Sequence, residues 1–154
     1  MKDTKKEIMK CLKGAYDIKL YGPDGQLNDR RTADNLTVNE GYIAVLKQML
    51  WTGNQPAAFG FTAVGSSAVS APATTDVALE SQIEDRHAAG FSTISIVSSK
   101  TDATWAAGHA TGAIRESGIF NDASAGQMLA RQTFAVINKG ASDTLIVTWT
   151  YTLS

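Results

Sequence analysis

The C-terminal ten residues alternate with a period of two. From Leu145 the odd positions are Leu145, Val147, Trp149, Tyr151 and Leu153, while the even positions from Thr148 onward are Thr148, Thr150, Thr152 and Ser154. A helix would scatter these residues around its surface, whereas a strand puts successive side chains on opposite faces. The stretch is therefore a half-buried β-strand, with a large apolar face for a core and a face of β-branched hydroxyls that suits strand geometry. Ala113 to Phe120 and Met128 to Ile137 are two more strand candidates. The Asn, Asp, Ser and Gly residues of Asn121 to Gly126 and Asn138 to Asp143 supply the reversals between them. These three strands predict an antiparallel meander.

Upstream, Tyr16 to Tyr21 alternates and runs into Gly22-Pro23-Asp24-Gly25, a tight turn that begins a first hairpin. Asp29 to Thr32 is a polar segment. Thr37-Val38-Asn39-Glu40 has capping-box spacing, and Tyr42, Ile43, Leu46, Met49 and Leu50 then recur at helical intervals, so a helix should follow with that stripe on the core. Gly53 and Pro56 end it. Phe59 to Gly65 reads as a strand central to a sheet, and Ser66 to Thr74 as a long surface loop. Val77, Leu79 and Ile83 fit a short helix or an extended segment. Phe91 to Val97 and Thr104 to Ala110 are strands separated by Ser98 to Asp102. Seven or eight strands with closely spaced turns and one internal helix favour a mainly β chain. The expected fold is an antiparallel β-sandwich, jelly-roll or immunoglobulin-like, with Trp149, Phe134, Ile96 and Trp105 inward.

The sandwich is expected to occupy residues 16–154, preceded by an arm over residues 1–15. Lys2 to Lys13 is basic and amphipathic, with Ile8, Met9, Cys11 and Leu12 on a rough helical stripe, and reads as a docking arm for an acidic partner surface, a helix packed on its own domain or a frayed terminus. A chain of 154 residues can bury roughly 70% of its unfolded surface without staples. Its single cysteine, Cys11, allows no internal disulfide, and the expected compartment of folding is a reducing cytoplasm. A net charge of -1 argues against a nucleic-acid coat, and no apolar run approaches the ~20 residues of a membrane span.

Signatures of chemistry are missing from the pattern. Neither His87 nor His109 has a neighbour at metal-ligand spacing, so no metal and no cofactor are expected, and His109 reads as a sheet histidine. Glu80, Glu84 and Asp85 near Arg86 and His87 read as a solvated charged loop. No nucleophile elbow or phosphate loop occurs, so no catalytic residue is assigned. Asn121-Asp122-Ala123-Ser124 reads as an Asx-type turn. Glu116 and Arg131 stand where two paired strands would make them cross-strand neighbours. As an exposed pair they would contribute at most about 1 kcal/mol, so a role in register or a subunit contact is expected, with Glu116→Ala affecting assembly more than melting.

The run Glu116 to Asn121, then Met128 to Phe134, then Asp143-Thr144-Leu145 with Val147 to Thr150, resembles a group of small virion structural proteins of tailed bacteriophages. The likeness extends upstream to Asn35-Leu36-Thr37, Gly41, Ala63-Val64-Gly65 and Asp76 to Glu80, and covers roughly Ile18 to the C-terminus. It implies a non-enzymatic protein assembled in the bacterial host cytoplasm and located in the virion. The first expectation is a capsid decoration or cement protein on the outer head surface, oligomeric, with the major capsid protein or another virion protein as partner. The alternatives are a tail or head-fibre component or a carbohydrate-binding module. No nucleic acid and no membrane are expected as partners. The interface candidates are Ile8, Met9 and Leu12 of the arm, Ser67, Val69 and Pro72 of the loop, and the Glu116–Arg131 pair.

Overall fold

The computed structural model describes residues 12–50 and 53–154. Among the described residues, ten strands form two five-stranded antiparallel sheets. In chain order they are β1 (Leu12–Tyr21), β2 (Leu27–Asp34), β3 (Leu36–Thr37), β4 (Phe61–Gly65), β5 (His87–Ala88), β6 (Gly90–Ser95), β7 (Ser98–Trp105), β8 (Gly112–Phe120), β9 (Met128–Lys139) and β10 (Thr144–Leu153). One helix among the described residues, α1 (Asn39–Leu50), lies between β3 and β4. The first sheet has the order β2-β1-β10-β7-β6 and the second β3-β9-β8-β4-β5. The expected mainly β sandwich with one internal helix is the observed architecture. In it the first and last strands pair along their whole length, from Leu12 opposite Leu153 to Tyr21 opposite Thr144. The constant-type immunoglobulin order puts its first and last strands in opposite sheets.

The alternation of β10 does what its period requires. Leu145, Val147 and Trp149 are fully buried and meet Ile18 and Leu20 of β1, Ala103 and Trp105 of β7, and Ile114, Ile119 and Ile137 of the facing sheet. Phe134 is half-buried against the same core. Three expectations about the strands change. β10 does not extend a meander from β9: the loop after Lys139 carries the chain across the sandwich, so β10 joins β1 and β7 while β9 pairs with β8 and β3. Residues 98–102 are no loop but the first half of β7, and the chain reverses at Ile96 and Val97. Ile96, expected in the core, is therefore fully exposed. Asp29 to Thr32 forms part of the outer arm of the first hairpin, where its charges suit an edge strand.

The boundary expected at residue 15 falls inside β1. Leu12 opens the strand rather than ending a helical arm, and it lines an apolar cavity of about 230 Å³ with Val45, Phe59, Trp149 and Tyr151. Ile8 and Met9 lie outside the described residues, as does Trp51. Helix α1 forms where the capping-box spacing puts it, but a different face is buried. Gly41, Tyr42 and Ala44 are buried, whereas Ile43, Met49 and Leu50 are exposed. Small residues at Gly41 and Ala44 let α1 sit close on β9, with Gly41 against the Leu129 backbone.

A third layer covers the outer face of the second sheet. Residues 66–83, between β4 and β5, form no helix; they cross that face as an irregular strap joined to β4 by a bridge from Gly65 to Gln82. Leu79 from the strap closes a small second core of Val38, Ala63, Phe120 and Met128. The strap's Thr74 carbonyl accepts from the Asn39 amide at the start of α1 (2.7 Å), so strap and helix are tied together.

Candidate functional site

The strap is folded around one guanidinium. Arg131 projects from β9 onto the outer face of the second sheet and is buried beneath the strap. Its Nε donates to Glu116 Oε2 (2.9 Å), its Nη1 to Asp76 Oδ2 (3.0 Å), and its Nη2 lies 3.4 Å from Glu80 Oε1. Three carboxylates around one cation would leave excess negative charge. Backbone amides of the strap meet it: Glu80 and Ser81 donate to Glu116, Val69 and Ser70 to Glu80, and Ala73 to Asp76. The Ser67 hydroxyl adds a 2.5 Å bond to Glu80. Burial alone would weaken the charge on Arg131, but the bonds to Asp76 and Glu116 outweigh it and hold its pKa above the ordinary arginine value.

Glu116 and Arg131 are thus brought together, though not as an exposed pair. Gly118, rather than Glu116, stands opposite Arg131, so the contact is diagonal across the ladder, and both side chains are sealed from solvent. They hold the strap and offer nothing to a partner. Of the loop candidates, Val69 is almost fully exposed, whereas Ser67 is half-buried and engaged by Glu80, and Pro72 is half-buried.

Glu80 carries a pH dependence. Hydrogen bonds from Ser67 and Ser70 push its pKa down to about 2, below the ordinary glutamate value. A carboxyl whose pKa is lowered by folding contributes stability above its unfolded value of about 4.3 and loses it as pH falls towards the folded value. Melting temperature is expected to drop between about pH 4 and pH 2 less steeply in Glu80→Gln than in the parent chain. Parallel acid limbs would show that the strap does not depend on the charged carboxylate.

At the other end of the strap three ligand-bearing side chains converge. Glu84 follows the strap, His87 opens β5, and His109 lies in the turn between β7 and β8. Glu84 Oε1 is 2.9 Å from His87 Nε2 and 3.5 Å from His109 Nδ1. The His87 ring stacks on buried Trp105, with centroids 4.8 Å apart, and lies edge-on to His109 at 5.6 Å. Ala110 delivers its amide to Glu84 Oε2 (2.9 Å) from a left-handed conformation, φ 45°, which costs an L residue about 1–2 kcal/mol. His109 is therefore a turn residue rather than a sheet histidine. The charged segment around Glu84 is not simply solvated either. The sequence signal was faint: Glu84 and His87 are three apart, and their third member is 22 residues further on.

The reversal between β6 and β7 is the third feature. Phe91, Ile94, Ile96, Val97 and Leu153 are all exposed, and Leu153 is hydrogen-bonded to the Val97 carbonyl (2.8 Å). From Gly90 to Ser99 no residue is charged. β6 is the edge of the first sheet, and the opposite edge, β2, carries Asp29, Arg30, Arg31 and Asp34. Sheets guard their edges with such charges, so β2 is guarded in this way and β6 is not.

The Asx-type turn expected after β8 is present, with Asp122 Oδ1 accepting from the Ser124 and Ala125 amides. Comparison with protein-family models, curated proteins and solved structures finds no match to this chain.

Proposed function

We propose that this chain is a non-enzymatic structural component of a tailed-phage virion, a decoration protein that binds the outer head surface through the β6–β7 hairpin. The observation that carries the reading is the uncharged, apolar hairpin at an open sheet edge. Four exposed apolar side chains on the hairpin, with Leu153 of β10 beside them, would be costly in a protein that met only water. An edge of this kind fits a partner that supplies a strand or an apolar shelf. The resemblance along Glu116 to Thr150 favours a virion protein as that partner, with the major capsid protein as first choice. Copies repeated over a shell turn a modest contact into strong retention through avidity. A homo-oligomer fits the same surface. Val69, at the top of the strap, is a second exposed contact.

A tail or head-fibre location would use the same surface on another part of the particle. A carbohydrate-binding face is less well supported: of the tryptophans that such a face would use, Trp105 and Trp149 are fully buried and Trp51 lies outside the described residues. Labelling of intact virions with gold-coupled antibody distinguishes the locations: many labels over the head support decoration, a cluster at the tail moves the protein there, and absence from purified particles removes the reading.

The hairpin itself is tested by Ile96→Lys. Ile96 is fully exposed, so its replacement should change stability by less than about 0.5 kcal/mol. Co-sedimentation with particles lacking the protein is expected to fall at least tenfold. Unchanged retention on the particle would place the contact elsewhere.

A further inference from the structure

We propose that Glu84, His87 and His109 form a binding site for a divalent transition metal of the zinc class, with the remaining coordination positions open to solvent. This goes beyond the virion reading and does not rest on it. The three residues offer one carboxylate oxygen and two imidazole nitrogens, all within 4.8 Å of one another. Zinc takes such ligands at about 2.0–2.2 Å, so tetrahedral ligand atoms lie about 3.3 Å from each other. The two separations from Glu84 Oε1, 2.9 and 3.5 Å, bracket that edge.

The proton positions point the same way. His87 Nδ1 lies 2.8 Å from the Thr104 carbonyl oxygen. A carbonyl can only accept, so Nδ1 carries a proton, and in a ring with that proton alone Nε2 would turn a bare lone pair towards Glu84 Oε1. Two lone pairs at 2.9 Å repel unless a positive charge stands with them. Glu84 Oε1 is itself buried and, the two imidazoles aside, has no hydrogen-bond donor, while Oε2 is held by the Ala110 amide. A metal ion supplies the missing charge. An imidazole whose second nitrogen donates to a backbone carbonyl is also the usual outer-shell support of a metal-binding histidine.

The surrounding chain keeps these groups in place. Stacking on Trp105 fixes the His87 ring. Gly108 (φ 85°) and Ala110 (φ 45°) shape the turn that carries His109, and the Gly108 amide is anchored on the Ala141 carbonyl (2.7 Å). A metal here would bind the segment following the strap to the β7–β8 turn, and so the second sheet to the first. His109 is more than half exposed, which leaves a path for the ion to enter.

The test is titration of the full chain with Zn²⁺ against a chromophoric chelator, followed by melting with and without the ion. The expected result is one Zn²⁺ per chain and a melting temperature raised by several degrees. Affinity should fall at least tenfold in His109→Ala and in Glu84→Gln, with the thermal shift lost in both. Cys11→Ser should bind as the parent does, which sets aside the single thiol as the ligand. His109 is exposed enough for its alanine variant to keep the fold, should His87→Ala not do so. Equal binding by the parent chain and His109→Ala, loss of binding in Cys11→Ser, or no binding at all would overturn the site, and no binding would assign the charge beside Glu84 to a proton on His87.

Discussion

Glu116→Ala is expected to lower the stability of the fold by about 3–5 kcal/mol, the usual consequence of removing one member of a buried ion pair. For a chain of this size that corresponds to a fall in melting temperature of roughly 10–15 °C. The residue accepts from Arg131 Nε and from the amides of Glu80 and Ser81, so its loss strands three donors in a place water does not reach. The remaining acidic groups, Asp76 and Glu80, still face Arg131, but from the strap side, where they are partly exposed. Glu116→Gln keeps the shape but not the charge, and should fall between the parent and the alanine variant. Thermal or denaturant melting of the purified variants measures both. An alanine variant melting within about 2 °C of the parent would show that the strap is held by its apolar contacts instead. The expectation for an exposed pair, assembly affected before stability, is thus reversed: a side chain sealed under the strap changes the partner surface only through the strap's own order.

That reversal shows where the sequence stops being readable. The period of two in Leu145 to Leu153 was legible because burial of one strand face is a local pattern, and the structure buries its first three members fully. Turns were legible at Gly22 to Gly25 and at Asn121 to Gly126, where the backbone requires particular residues. Strand order was not, because alternation states which face is buried and is silent on which strand lies alongside. β10 therefore looked like the third strand of a meander while it actually crosses to the other sheet. Residues 98–102 were misread because Ser, Lys, Thr and Asp resemble a loop when their strand has one face in solvent. The Glu116–Arg131 contact could be read from opposite charge at suitable spacing. Its burial could not, since the residues that cover it lie about 35 to 60 positions away.

The same limit applied to the candidate sites. His109 gave no signal because its partners, Glu84 and His87, are separated from it by two strands, and only the turn after Trp105 brings it back to them. The hairpin was hidden for the opposite reason. Phe91, Ile94, Ile96 and Val97 give the segment the aromatic and β-branched composition of a core strand, and an exposed edge can share that composition. What separates the two is position at an edge, which belongs to the topology.

Gly41→Ala is expected to destabilise the protein by about 2–3 kcal/mol, against the ordinary sign of the substitution. In an exposed helix alanine is favoured over glycine by about 1 kcal/mol. Here a Cβ on Gly41 would lie 2.6 Å from the Leu129 carbonyl oxygen and 2.7 Å from its Cα, backbone atoms of β9 that no rotamer change can move. α1 would have to lift from the sheet. Lifting it pulls on the hydrogen bonds at its start, from Val38 to the Leu129 carbonyl (2.9 Å) and from Asn39 to the Thr74 carbonyl (2.7 Å), and so loosens the strap as well. Gly60→Ala supplies the contrast, since a Cβ there meets nothing within 4 Å. It should leave stability unchanged or raise it by about 0.4–1 kcal/mol through the unfolded chain. Denaturant melting of the two variants side by side separates a steric requirement at the helix from a general effect of glycine replacement. A Gly41→Ala variant as stable as Gly60→Ala would mean that α1 has room to move, and that Gly41 does not set its distance from β9.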